Sequence, residues 1–372
     1  MSTRALVVGA GPAGLAAADG LASWCESVTV VDAGPRCPPR HAGEHLPPAA
    51  LSAMAAMGFG ELLDDEHHEA SPGVRSAWGH DGFVDKEYFG SAAGRGINLR
   101  RDLFDEALAL RVERRGVGLR FRTRLQALAA RSGAYLATVQ GPQGPQSLGA
   151  DIVVDATGRA AVAARQLGAQ RRRCDQLIGL VGRVEHCAQT DEPGRVHVES
   201  AEDGWWYAVR FAGGTLLATY MTDAARLRRH PQRAHGLWRQ RLQQSRLLMP
   251  MAGTGHWSGR LQTFDAATQW LDCGASDGFL AVGDAAAAYD PLSSWGITKG
   301  LGDGQAGAQA LARQRTGAPG AVAGHLAGRQ RDFDDFRSRQ LQFYRAETRW
   351  PGSPFWQSRQ EPRPGPVPGP KG

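Results

Sequence analysis

Three glycines, Gly9, Gly11 and Gly14, stand in the run Gly9-Ala10-Gly11-Pro12-Ala13-Gly14, directly after the apolar stretch Ala5-Leu6-Val7-Val8. The spacing suits the binding of a pyrophosphate. Gly9 permits a tight turn, Gly11 lets the backbone approach the phosphates, and Gly14 lets a following helix lie close to the strand. A helix opening at Pro12 and Ala13 points its positive end at those phosphates. Asp32, 18 residues beyond Gly14, ends a second apolar stretch and is placed to accept hydrogen bonds from an adenosine ribose. Two further glycine turns follow buried-strand patterns: Asp155-Ala156-Thr157-Gly158, and Gly283-Asp284-Ala285-Ala286.

The elements needed to position these residues can be read from periodicity. Residues 5–8, a helix over 13–22 and residues 28–31 form a βαβ unit. A Pro/Gly/His-rich stretch at 34–48, a helical segment at 49–57 and an irregular region at 64–96 follow, the last with the character of active-site loops. Helical spacing resumes at 101–111, with strands at 119–122, 135–139 and 151–155. Alternating segments at 177–184, 195–199, 205–211 and 216–221 predict an antiparallel meander. Two arginine-rich helical stretches, a strand at 279–282 and helices at 296–311 and 322–348 complete the chain.

The expected class is α/β: a Rossmann-type domain of aromatic-hydroxylase-like form, assembled from residues 1–70, 95–170 and 275–320. A substrate domain built on an antiparallel sheet, residues 71–94 and 171–274, is inserted into it. A C-terminal helix spans 321–350, and a Pro/Gly-rich flexible tail without a packed core spans 351–372. A nicotinamide-nucleotide dehydrogenase would continue with further βαβ units. This chain goes instead into a proline-rich loop and a meander, which favours FAD.

The 372 residues, 42% hydrophobic and 22% charged, contain no apolar run long enough for a membrane span. The start, Met-Ser-Thr-Arg, leads directly into a strand, so no signal peptide and a cytoplasmic location are expected. Five scattered cysteines with no CxxC pair indicate free thiols, and the histidines lack metal-ligand spacing, so no metal is expected. The formal charge of +6 comes from arginine, with lysine only at 86, 299 and 371. The basic clusters at 171–173 and 226–229 lack interleaved aromatics and read as solvated surface, not as a nucleic-acid interface.

Taken in order, these motifs resemble the flavoprotein monooxygenase and flavin-dependent halogenase superfamily. The first glycine run, Ala156-Thr157-Gly158, and Gly283-Asp284 followed by Asp290-Pro291-Leu292-Ser293-Ser294-Trp295-Gly296-Ile297 match its three signatures. The resemblance implies that Gly9, Gly11, Pro12, Ala13, Gly14, Asp32, Arg101, Gly283, Asp284, Pro291, Ser294, Gly296 and Ile297 contact FAD. Asp284 would bind the ribityl chain or order water at the pyrophosphate, unless it merely caps a helix; Arg101 is a cofactor arginine or a plain surface one. Longer strings narrow the likeness: Gly43-Glu44-His45-Leu46-Pro47-Pro48, Ser71-Pro72-Gly73-Val74-Arg75-Ser76-Ala77-Trp78-Gly79, Asp203-Gly204-Trp205-Trp206-Tyr207 and Arg349-Trp350-Pro351-Gly352-Ser353-Pro354-Phe355-Trp356 resemble the LodB and GoxB type. These flavoproteins mature cysteine tryptophylquinone oxidases, which implies a quinoprotein oxidase precursor as protein substrate.

Several chemistries stay open on these residues. Halogenases place a lysine in the segment matching 70–80, where this chain has Arg75 and no lysine. A monooxygenase needs a water-excluding wall that positions an aromatic group, for which Trp78, Trp205, Trp206 and Tyr207 are candidates, or else they are ordinary sheet core. Trp295 either stacks near the flavin ring or fills the core. His45 and Arg75 are the polar residues nearest the expected site and, with Trp295, the candidates for a catalytic role, unless the first two are structural. With no second nucleotide fingerprint, NAD(P)H would serve only as a transient electron donor. The leading expectation is an FAD-dependent monooxygenase that hydroxylates a peptidyl tryptophan. The alternatives are a flavin dehydrogenase or reductase, a halogenase-like enzyme, and a flavin-loaded maturation chaperone without chemistry.

Overall fold

The computed structural model describes residues 3–36, 44–63, 67–90, 94–187, 193–228, 233–253, 255–272 and 274–361. Cys37, Gly43, Arg229, Cys273 and the tail beyond Glu361 lie outside the described residues, and so do parts of the stretches read at 34–48 and 64–96. Among the described residues Cys25 and Cys187 are free thiols.

The strand Arg4–Val8 is apolar on both faces, as expected of a strand covered on both sides. It lies between Ser27–Val31 and Ile152–Asp155, parallel to each, with Ala5 opposite both Val28 and Ile152. Gly118–Arg120 extends the sheet on one side, and Phe279–Ala281 followed by Ala275–Ser276 on the other. Because the chain leaves the central strand first to one side and later to the other, a crevice forms beyond its carboxyl end. All three glycine motifs sit there.

Close helix packing roofs this crevice. The helices Pro12–Leu21 and Gly296–Arg315 cross so tightly that a Cβ on Gly304 would lie 2.2 Å from the Ala13 carbonyl oxygen, and one on Gly20 would lie 2.8 Å from the Ala308 Cβ. Asp303 ties the longer helix down. Its carboxylate accepts from the Gly283 amide (2.6 Å) and from Arg329 (3.1 Å) of the next helix, Ala321–Arg345.

The second large sheet has seven strands in the order His256–Asp265, Leu177–Glu185, Leu216–Asp223, Gly204–Arg210, Val196–Ala201, Gly73–Ala77, Val84–Glu87. The expected meander is its centre. The sheet is mixed, because Gly73–Ala77 pairs in parallel with Val196–Ala201. Helices bury one face around Trp206, Trp238 and Tyr220. A three-stranded sheet over residues 124–150 includes Gly144–Ala150, a strand too polar to stand out in the sequence.

The C-terminal segment differs from expectation. Helix Pro354–Gln360 buries Phe355 and Trp356 completely against Trp78, Trp205 and Tyr344. Prolines at 351 and 354 suggest an unpacked tail, but Pro354 stands at the first turn of the helix, where its missing N–H costs nothing. Phe355 and Trp356 anchor the segment together with the buried Arg359, which pairs with Asp223 at 2.6 Å.

Candidate active site

Each glycine of the first turn has its own steric reason. Gly9 has φ of +108°, and a Cβ there would lie 2.3 Å from the Ala156 carbonyl oxygen. A Cβ on Gly14 would lie 1.9 Å from the Gly9 carbonyl oxygen. Gly11 is the opposite case: its missing Cβ would meet nothing within 4 Å, so its bare backbone faces open space. Asp32 is held by the amides of Ala10 and Gly34, each 2.7 Å away. Asp155 is fully buried and organises the middle motif through the Thr157 amide (2.9 Å) and the Ala164 amide (2.8 Å). Burial nonetheless pushes its carboxyl above the usual range.

These residues wall a cavity of about 460 Å³ that also touches Arg101, Asp284, Gly296 and Ile297. A second cavity of about 470 Å³ is lined by the same four. The two therefore adjoin. The second is floored by Tyr207, Thr219, Val181 and Gln262, which lie in one cross-strand row of the mixed sheet, with Met221 and Phe264 in the next. Phe264 packs against Gly179, where a Cβ would come within 2.2 Å of its ring.

Charge converges on the junction. Asp284 binds Lys299 Nζ at 2.9 Å and Arg159 Nε at 3.8 Å. Burial opposes the Asp284 carboxylate, but Lys299 and Arg159 outweigh it and hold the carboxyl below its ordinary value. Arg171 donates to the Asp284 and Ala285 carbonyls, and burial together with Arg159 lowers its guanidinium to about 10. Three cations thus face one carboxylate. Arg101 is buried between Glu44 (2.6 Å) and Asp105 (3.1 Å). Burial by itself would weaken its proton affinity; the two carboxylates reverse that. It is no plain surface arginine.

Asp290 also lines the second cavity, fully buried. It accepts from the Leu292 amide (2.9 Å), Gln340 Nε2 (2.9 Å) and the Tyr344 hydroxyl (2.6 Å). Burial, followed by the nearby Asp175 charge, raises its carboxyl above the usual range. Trp205 donates to the same Tyr344 oxygen at 3.2 Å.

The other expected residues separate. Pro12, Ala13 and Asp32 line the first cavity; Pro291, Ser294, His45 and Tyr207 line the second, and Gly283 sits one residue from the junction. The His45 imidazole stacks on Tyr88, and burial pushes it down to about 4. Trp205 shares Tyr207's face but is buried with Trp78, 6.1 Å away, beneath the C-terminal helix. Trp206 points the other way, 4.7 Å from Tyr220, because adjacent strand residues alternate faces. Of the four aromatics expected as the substrate wall, only Tyr207 lines the cavity. Arg75 is engaged with Asp85 (2.7 Å) near the far edge of the sheet and lines neither cavity. Trp295 is 37% exposed, which excludes its core-filling role.

Sequence reasoning missed Arg159, Arg171, Lys299, Asp290 and the strand residues Val181, Thr219, Met221, Gln262 and Phe264. Arg171 was expected on a solvated surface and is turned inward instead. Alternation along 216–221 was the available signal for Thr219 and Met221. Lys299 lies one helical turn after Gly296, a spacing that reaches back toward Asp284.

A glycine turn at the switch point of a parallel sheet, joined to a cavity beneath a second sheet, is the arrangement of a dinucleotide-binding protein. The chain belongs to the FAD binding domain family, whose model matches residues 2–322. It is 27% identical over 368 residues to the FAD-dependent oxidoreductase LodB of Marinomonas mediterranea, covering 96% of this chain and 97% of that protein. Among solved structures, the peptidyl tryptophan dihydroxylase QhpG, essential for tryptophylquinone cofactor biogenesis, is 26% identical with a TM-score of 0.77, covering 97% of this chain and 79% of that one. The myxobacterial chondrochloren halogenase CndH shares the fold, with a TM-score of 0.87 at 17% identity, over 97% of this chain and 86% of that one. The chain is an FAD-dependent oxidoreductase. Among the described residues no helix is long and apolar enough to cross a membrane.

Proposed function

We propose that this protein is an FAD-dependent monooxygenase that hydroxylates a tryptophan side chain within a polypeptide, as a step in maturing a tryptophylquinone oxidase. The observation that carries the reading is the meeting of the two cavities at Arg101, Asp284, Gly296 and Ile297. Residues Gly9 to Gly14 and Asp32 would hold the adenosine and pyrophosphate of FAD in the first cavity, leaving the second for an aromatic group. Similarity to LodB and QhpG supports a peptidyl tryptophan of a quinoprotein oxidase precursor as that group.

FAD bound there and reduced by an electron donor would supply the two electrons with which one atom of oxygen enters the ring and the other leaves as water. The chain contributes the surroundings. The helix N-terminus at Gly296, with Lys299, Arg159 and Arg171, favours negative charge at the junction. Val181, Met221 and Phe264 exclude water from the aromatic group. Asp290, whose proton affinity is raised, can hold a proton beside the cavity. A transient nicotinamide nucleotide is the proposed electron source.

The halogenase alternative is weakened, because Arg75 lines neither cavity and Lys299 is engaged with Asp284 and the Ala287 carbonyl. The test is mass spectrometry of a tryptophan-bearing precursor peptide after incubation with enzyme, FAD, oxygen and a reductant. Added oxygen on the tryptophan is expected. Reductant oxidation without added oxygen would establish the dehydrogenase alternative instead.

A further inference from the structure

The floor of the second cavity ends at a sheet edge. Gln262, at one end of the row Gln262–Val181–Thr219–Tyr207, belongs to the edge strand His256–Asp265, which no other strand pairs on its outer side among the described residues. Consecutive residues Gln262, Thr263 and Phe264 all line the cavity although neighbouring side chains alternate faces, so the cavity wraps around this edge. The direction of the free backbone groups follows from one hydrogen bond. The Ala266 amide donates to the Leu177 carbonyl at 3.0 Å, so in this antiparallel pair the amides of Phe264 and Gln262 also point inward, while the N–H and C=O of Leu261 and Thr263 point out. Gln262 and Thr263 are exposed.

The two edges of the sheet are built differently. The far edge carries Asp85, Lys86 and Glu87 in succession, the charge pattern that keeps an edge from pairing. From Leu261 to Phe264 the cavity edge carries no charge, with Arg260 exposed just beyond.

We propose that the substrate polypeptide docks as an added β-strand on this edge, pairing with the outward groups of Leu261 and Thr263. It would present its aromatic residue opposite Gln262 or Phe264. A residue at either place shares their face and so extends the row into the second cavity. Arg260 selects a segment with a carboxylate near the aromatic residue. Main-chain pairing supplies affinity, and alternate side chains supply specificity. This inference rests on the proposal that the substrate is a polypeptide.

The test uses the FAD-loaded full chain and extended nine-residue peptides with a central tryptophan, alternating threonines and one terminal aspartate. Each successive backbone amide is N-methylated in turn. Binding is read by fluorescence anisotropy and oxygen incorporation by mass spectrometry. Losses of about tenfold at every second amide, with little change between, are expected from a single removed hydrogen bond. Thr263→Pro, which deletes an outward donor and no ladder bond, should weaken the unmethylated peptide by a similar factor; retained FAD content shows that the variant is folded. A flat methylation profile with tryptophan still oxidised overturns the strand-addition proposal and leaves the hydroxylase reading intact. The alternating profile without added oxygen supports docking and defeats the chemistry. No binding at millimolar peptide overturns the proposal.

Discussion

Replacing Gly304 by alanine isolates what the helix crossing does for the cofactor. The added Cβ would lie 2.2 Å from the Ala13 carbonyl oxygen and 3.0 Å from the Ala17 amide nitrogen. Both are backbone atoms, so no rotamer change relieves the contact. Reaching an ordinary C···O separation near 3.3 Å requires the helices to part by about 1 Å. Overpacking of this kind costs about 3 kcal/mol, while alanine in a helix interior returns about 1, leaving a net loss of roughly 2 kcal/mol. The moving atoms belong to the turn that contains Ala13 and to the helix that starts at Gly296, so the displacement enters the cofactor cavity directly. A misplacement of about 1 Å is expected to weaken FAD by roughly 10- to 100-fold. Fluorescence titration of apoprotein with FAD measures it. The control is Gly324→Ala, whose Cβ meets nothing within 4 Å and which should stabilise by about 0.5–1 kcal/mol. A Gly304→Ala protein that binds FAD as wild type and melts no lower would refute the reasoning.

Further outcomes follow from single residues. Lys299→Met removes the closest cation at Asp284, so the FAD couple should become more negative by about 30–60 mV, read in a xanthine oxidase titration, while Lys86→Met leaves it unchanged. His45 and His197 are buried and held near 4, below their unfolded value of 6.5. The unfolded chain therefore binds more protons below that value, and stability present at neutral pH falls as pH drops from 6.5 toward 4. The unfolding free energy from urea titrations should fall by about 2 kcal/mol per histidine by pH 5, and His45→Gln should remove its share of the slope. Trp356→Ala empties a fully buried site and should cost about 3–5 kcal/mol, lowering the calorimetric melting temperature by roughly 4–6 °C.

The amino-acid sequence by itself determined the cofactor. Gly9, Gly11 and Gly14 are local requirements of one turn, and the strand before it and the acid after it are fixed by spacing of a few residues, so they are legible without the rest of the chain. The central strands of the second sheet were legible for the same reason, because alternation is a local pattern. The tertiary structure decided which side chains meet. Trp205, Trp206 and Tyr207 are adjacent in sequence, yet one lies beneath the C-terminal helix, one faces the opposite core and one lines the cavity; the face of each depends on register with strands far away in the chain. Arg171 and Lys299 reach the Asp284 turn from a strand and a helix that only the fold brings together, and Asp290 is held by Gln340 and Tyr344 from a helix some 50 residues on. Short-range steric rules write themselves into spacing. Long-range pairing leaves no such trace in one sequence, and here it shaped the cavity proposed for the substrate.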